Sequence, residues 1–131
     1  MRYAGVYLTY MAQLSQEHYT ADACIVWCFD NRFWPAFTEF TQTQKLAHFD
    51  PVFIAGGAKS LAVPEKPEDK DFVLRQIEKS IALHKAAKII LMMHSDCGAF
   101  GGLLGFGNSK EAEFNRHTEV MAEARKTVSE K

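Results

Sequence analysis

Cysteine is scarce in this chain, with three residues among 131. An odd and small number cannot staple a secreted domain into a disulfide framework, and the N-terminus lacks a basic segment leading into an apolar run and a small-residue cleavage site. A reducing cytoplasm is the expected compartment. Long apolar runs are missing as well: residues 89–93 are bounded by Lys88 and His94, far short of the roughly 20 residues a membrane helix requires. Charge of either sign is not in surplus, since 15 Lys and Arg oppose 16 Asp and Glu and the net charge is −1. With the signs interspersed there is no broad basic face for phosphates and no cationic helix for an anionic bilayer, so nucleic acid and membrane are not expected as partners. Internal repeats, low-complexity tracts and interdomain linkers are also lacking. The glycines of residues 98–107 do not form a phosphate loop. Gly-x-x-x-x-Gly-Lys-Ser/Thr is absent, and Gly105-Phe106-Gly107 lacks the third glycine of a dinucleotide fingerprint.

What is present belongs to a folded domain. Apolar residues make up 47% of the chain and charged residues 24%, with ten Phe and two Trp, unlike the low-hydrophobicity composition of disorder. The length suits one domain, 1–131. Residues 23–28 (ACIVWC), 51–55 (PVFIA) and 88–94 (KIILMMH) are short, nearly continuous apolar runs, the pattern of parallel strands covered on both faces. Pro35 opens a segment in which Phe33, Phe37 and Phe40 recur at helical spacing, predicting a helix to about residue 48. Val73, Ile77, Ile81 and His84 trace a second helical face after a loop at 64–71. Asn108, with Glu111 three positions on, predicts the cap of a third helix, whose inward side would carry Phe114, His117, Met121, Ala124 and Val128. Residues 3–10 (YAGVYLTY) fit a strand or a helix equally. Alternating strands and helices give an α/β class with a central, mostly parallel β-sheet flanked by helices.

The first strand runs into Cys28-Phe29-Asp30-Asn31-Arg32 and the third into His94-Ser95-Asp96-Cys97-Gly98. Open α/β sheets build sites at the carboxyl ends of their parallel strands, so the two segments can meet. Two thiolates and one imidazole are donors that Zn²⁺ accepts, and three protein ligands leave a fourth tetrahedral position open. Cys28, His94 and Cys97 are therefore the candidate metal ligands. In extended geometry Cys28, Asp30 and Arg32 project to one side. Arg32 can hold Asp30 bidentately and keep it ionised; Asp30 can then accept a hydrogen bond from a metal-bound hydroxide, or turn and take the fourth position. The start of a helix after Cys97 would offer partial positive charge to a thiolate.

Several residues have more ordinary readings. Cys24 lies four residues before Cys28, about 13 Å back along a strand, too far to share a metal, and reads as a small buried hydrophobe. Asp96 reads as a turn residue bonding local amides. His18, His48, His84 and His117 have no partner evident in sequence. The Phe-rich face of the first helix reads as core or dimer interface.

The pair Cys-x-Asp-x-Arg and His-x-x-Cys resembles the signature of β-class carbonic anhydrases, and Pro35 and the turn Ala55-Gly56-Gly57 are similar too. The resemblance covers residues 23–102 and implies a β-carbonic-anhydrase-like fold. It implies zinc on Cys28, His94 and Cys97, a catalytic dyad of Asp30 and Arg32, and reversible hydration of carbon dioxide to bicarbonate by zinc-bound hydroxide. It also implies a homodimer or higher homo-oligomer in which an N-terminal arm packs on the neighbour. Three departures accompany it. The interval between Cys28 and His94 is long, which assigns an enlarged loop to residues 60–70. The family's substrate-binding Gln has no clear counterpart, with Gln13 and Gln16 nearby and His18 or Tyr19 closer to the expected place. The family's C-terminal strand has no counterpart after the helix that ends near Lys131. Two alternatives share the same ligands: a zinc hydrolase acting on carbonyl sulfide or carbon disulfide, and a non-catalytic zinc-binding homologue.

Overall fold

A computed structural model describes residues 5–14 and 16–131. Three parallel strands form one sheet in the order β2-β1-β3, with β1 at Ala23–Cys28, β2 at Phe49–Ile54 and β3 at Ile89–Leu91. The helices are α1 at Trp34–Thr43, α2 at Pro67–His84 and α3 at Lys110–Ser129. All six residues of β1 are buried, because this strand is central and covered on both faces. Its alternation divides the core in two. Cys24 and Val26 face Leu61, Val73, Leu74, Ile77 and Ala124, while Ala23, Ile25 and Trp27 face Phe37 and Leu46, backed by Phe33, Phe40 and Phe53. The α/β class with a parallel sheet flanked by helices is what the apolar runs predicted.

Boundaries differ from the sequence expectation for identifiable reasons. Helix α1 stops at Thr43, not near 48, because Lys45 adopts a left-handed φ of 55°. The released chain enters β2 at Phe49, two residues before Pro51. Proline is tolerated there because β2 is an edge strand and has a free side. Helix α2 begins inside the expected loop, at Pro67, with Asp69 accepting the Lys66 N–H at 3.2 Å. Helix α3 is capped by Ser109, whose hydroxyl accepts the Ala112 N–H at 3.1 Å, and not by Asn108, which is left-handed with φ 60°. Its buried stripe is Glu113, Val120 and Ala124, whereas Phe114 points to solvent. In α2, Ser80 takes the inward place expected for Ile81, which is exposed. Residues 5–14 and 16–20 form no helix or strand; Tyr3 of the predicted N-terminal element lies outside the described residues. Among the described residues, no helix is long and apolar enough to cross a membrane.

Gly57 fixes the junction beneath the carboxyl ends of β1 and β3. Its φ is +58°, and a Cβ added there would lie 2.4 Å from the Met92 carbonyl oxygen and 3.1 Å from the Cys28 nitrogen. Only glycine allows this approach without displacing backbone. Ala58 donates to the same Met92 oxygen at 3.2 Å, and Met92 donates to the Val26 carbonyl at 2.9 Å. The segments entering Cys28 and His94 are thus held in register.

Candidate metal centre

Cys28 closes β1, and His94 follows β3 after Met92 and Met93. The turn His94-Ser95-Asp96-Cys97 then brings the second thiol back. The candidate ligand atoms of Cys28, His94 and Cys97 all lie within 4.8 Å of one another, and all three residues are buried. The two Sγ atoms are 4.0 Å apart. Two thiolates at about 2.3 Å from one tetrahedral zinc would stand roughly 3.8 Å apart, so this spacing suits a shared metal. Cys24, Cys28 and Cys97 are all free thiols.

His94 is set for ligation by its neighbours. Its Nδ1 lies 2.6 Å from the Ser95 carbonyl oxygen. A carbonyl can only accept, so Nδ1 is the donor, and in the neutral ring that tautomer leaves the lone pair on Nε2. The ring is packed face to face with Phe33 at 4.1 Å and meets the edge of Trp27 at 5.6 Å. Nε2 is buried and has no hydrogen-bond partner. A buried polar atom without a partner is costly, and a cation between Nε2 and the two thiols would remove that cost. The donor set therefore fits a metal ion. Burial raises the pKa of the Cys97 thiol, the Ala99 N–H lowers it, and the nearby Cys28 raises it further. A bound cation would reverse that direction, since the thiolate is the ligand form. The helix start expected after Cys97 is a single 3-10 turn, Gly98–Phe100, so help for the thiolate comes from one N–H and not from a helix dipole.

Asp30 and Arg32 meet as expected, though not from an extended chain. Asp30 caps a 3-10 turn, Asn31–Phe33, with Oδ1 accepting the Arg32 N–H at 3.0 Å. Arg32 Nε donates to both Asp30 oxygens at 3.1 Å, and Nη2 donates to Oδ2 at 2.6 Å. The guanidinium, then the Arg32 N–H, lower the Asp30 pKa to about 2. Asp30 Oδ2 stands 4.0 Å from His94 Nε2.

All five residues singled out in the sequence come together at one sheet edge. Their surroundings include residues the sequence reading passed over. Asp96 is the turn residue expected, its Oδ1 accepting the Leu103 N–H at 2.8 Å, but its Oδ2 also pairs with Arg32 Nη1 at 2.9 Å. The Leu103 N–H first, then Arg32, hold the Asp96 pKa below the usual carboxylate range. Glu113 of α3 accepts the Asp96 N–H at 2.8 Å. An open cavity of about 1170 Å³ adjoins this turn, lined in part by Met93, His94, Asp96, Glu113, His117 and Met121. His117 packs against Phe100 and Phe106 with Nε2 buried and unpartnered, and burial lowers its pKa.

Tyr19 is not at this edge. Its hydroxyl donates to Asp50, which also accepts from Ser80 at 2.6 Å and lies 2.8 Å from His84 Nδ1. Asp50 sits near the amino end of β2, four residues before Ile54, the register partner of Cys28. His84 thus has the partner that was not evident in sequence.

Fold and site define an α/β protein whose buried Cys-His-Cys group could hold a metal ion. An "Uncharacterized protein" of Rickettsia bellii (strain RML369-C) is 32% identical over 85 residues, covering 63% of this chain and 52% of that protein. The chain thus spans about half the length of the relative it matches. No family model and no solved structure matches the chain.

Proposed function

We propose that this protein binds one zinc ion through Cys28, His94 and Cys97 and catalyses the reversible hydration of carbon dioxide to bicarbonate, as the resemblance to β-class carbonic anhydrases suggests. The observation that carries the reading is the unpartnered Nε2 of His94, buried within reach of two thiols and 4.0 Å from a carboxylate held by Arg32. Zinc in such a site acts as a Lewis acid and lowers the pKa of bound water toward about 7.

The chain's own groups supply the rest. Cys28 and Cys97 neutralise the cation, and His94 is oriented by the Ser95 carbonyl, an outer contact that fixes its tautomer. Asp30, ionised far below neutral pH, can accept a hydrogen bond from a proton-bearing oxygen beside the ligands but cannot donate one to it. That limits the site to reactants whose nucleophile carries a hydrogen toward Asp30. Arg32, which binds both Asp30 oxygens, would keep the carboxylate from ligating a metal held there.

The same reading includes a dimer or higher homo-oligomer in the cytoplasm. Val6, Leu8, Tyr10, Met11 and Leu14 are largely exposed on the segment before β1, as are Leu104 and Phe114 beside the cavity, and apolar surface of this extent is ordinarily covered. Stopped-flow hydration of carbon dioxide by the zinc-loaded protein tests the reading. Turnover that vanishes on chelation is expected; a zinc-loaded protein no faster than buffer would remove the activity.

A further inference from the structure

The motif names one carboxylate partner for Arg32, but the guanidinium has two. Nε and Nη2 grip Asp30, while Nη1 donates to Asp96 Oδ2 at 2.9 Å and Nη2 donates to the Asp96 carbonyl oxygen at 2.9 Å. Asp30 and Arg32 belong to the same turn, so their pairing alone gives the fork no reference to the strand end that carries His94 and Cys97. Asp96 provides that reference, because it stands between those two residues.

Asp96 is itself held with unusual firmness. Its backbone is left-handed, φ 52°, a region that non-glycine residues seldom occupy unless their surroundings impose it. Two hydrogen bonds do so. Oδ1 takes the Leu103 N–H, and the chain wraps closely enough that a Cβ on Gly102 would come within 3.0 Å of that oxygen. The Asp96 N–H donates to Oε2 of Glu113, a residue only 4% exposed on the first turn of α3. A carboxylate this deep persists where it is hydrogen-bonded, and the Asp96 amide is its partner here. A chain of contacts therefore runs from α3 through Glu113, Asp96 and Arg32 to Asp30. Arg32 and Asp96 have side chains 56% and 50% exposed, and a lone ion pair at that exposure fixes little. A planar fork bound at both ends is fixed in direction.

We propose that Asp96, braced by Glu113, is a positioning residue that fixes Arg32 across the two strand ends and so keeps the Asp30 carboxylate off a metal held by Cys28, His94 and Cys97. The proposal rests on the metal reading above. Without the Asp96 carboxylate the fork keeps only the Nη2 bond to the Asp96 carbonyl oxygen, a single point about which the Asp30–Arg32 unit can pivot, and Asp30 then reaches the fourth position.

Cobalt(II) in place of zinc, titrated with thiocyanate and followed by visible absorption, reads that position directly. The wild type is expected to bind one cobalt per chain and to change its spectrum on adding thiocyanate. Asp96→Asn should still bind one cobalt, with apparent thiocyanate affinity lowered at least about tenfold, the loss expected when some nine-tenths of sites are closed. Glu113→Gln should shift it in the same direction by less. Adding Asp30→Ala to Asp96→Asn should restore the wild-type response, because no carboxylate remains to close the site; a merely structural role for Asp96 would leave the double variant impaired. An Asp96→Asn protein with the wild-type response, or a double variant that stays impaired, overturns the proposal. A wild type that binds no cobalt overturns the metal reading itself, and does so before any variant is compared.

Discussion

Oδ2 of Asp30 lies 4.0 Å from Nε2 of His94, yet the carboxylate is turned onto Arg32, which reaches it with Nε and Nη2. The carboxylate is thus a neighbour of the candidate ligands and not one of them. Removing the fork should change that. Arg32→Ala is expected to keep its zinc while hydration falls about 10- to 100-fold, the range typical for losing an outer contact at a metal site. Zinc analysis and stopped-flow rates on the same preparation check it, and near-normal turnover would remove Arg32 from the mechanism.

Cys97→Ser should lose most of its zinc, since a hydroxyl is a poor substitute for a thiolate. The variant should also unfold at lower temperature than the zinc-loaded wild type, because ligation stabilises only the folded state. Undiminished zinc content in Cys97→Ser would show that the metal sits elsewhere.

Gly57→Ala tests the scaffold and not the chemistry. The added Cβ would meet the Met92 carbonyl oxygen at 2.4 Å in a left-handed conformation, so a loss on the order of 3 kcal/mol is expected from strain and overpacking. Because the same junction sets Cys28 against His94, zinc affinity should weaken with it. Chemical denaturation gives the first quantity and competition with a chelator the second.

The cluster around Asp50 predicts an acid-side loss of stability. Burial would raise the Asp50 pKa, but hydrogen bonds from Ser80, Tyr19 and His84 outweigh it and the net direction is down. A carboxyl lowered in the folded state contributes stability above its unfolded pKa of about 3.9 and loses it as pH falls through the folded value. Asp50→Asn should therefore be less stable by roughly 1–3 kcal/mol at neutral pH, with the difference from wild type shrinking below about pH 4. Zinc content should not change, since the cluster lies toward the amino end of β2. Equal stability of the two proteins at neutral pH would contradict this.

The strongest sequence signal is β1, where six apolar residues in succession mean cover on both faces; all six are buried, and the five before Cys28 divide between the two core clusters. The ligand triad was legible because each member sits at or just beyond the end of such a run. Helical faces were less legible. Helical spacing places Phe114 on one side of α3 with His117, Met121, Ala124 and Val128, but Glu113 is the residue buried there, its carboxylate bound to the Asp96 amide. Contacts of this kind join residues far apart in the chain, as Asp50 joins Tyr19, Ser80 and His84. No local periodicity announces them. The second role of Asp96 was hidden for the same reason, since a turn aspartate and an arginine partner look alike in one dimension.

X-ray absorption at the zinc edge of the zinc-loaded wild type tests the metal centre most directly. The expected shell is two sulfurs at about 2.3 Å and one imidazole nitrogen near 2.0–2.1 Å, completed by one light atom, with one zinc per chain. A shell with fewer than two sulfurs, or a folded protein that takes up no zinc, would contradict it.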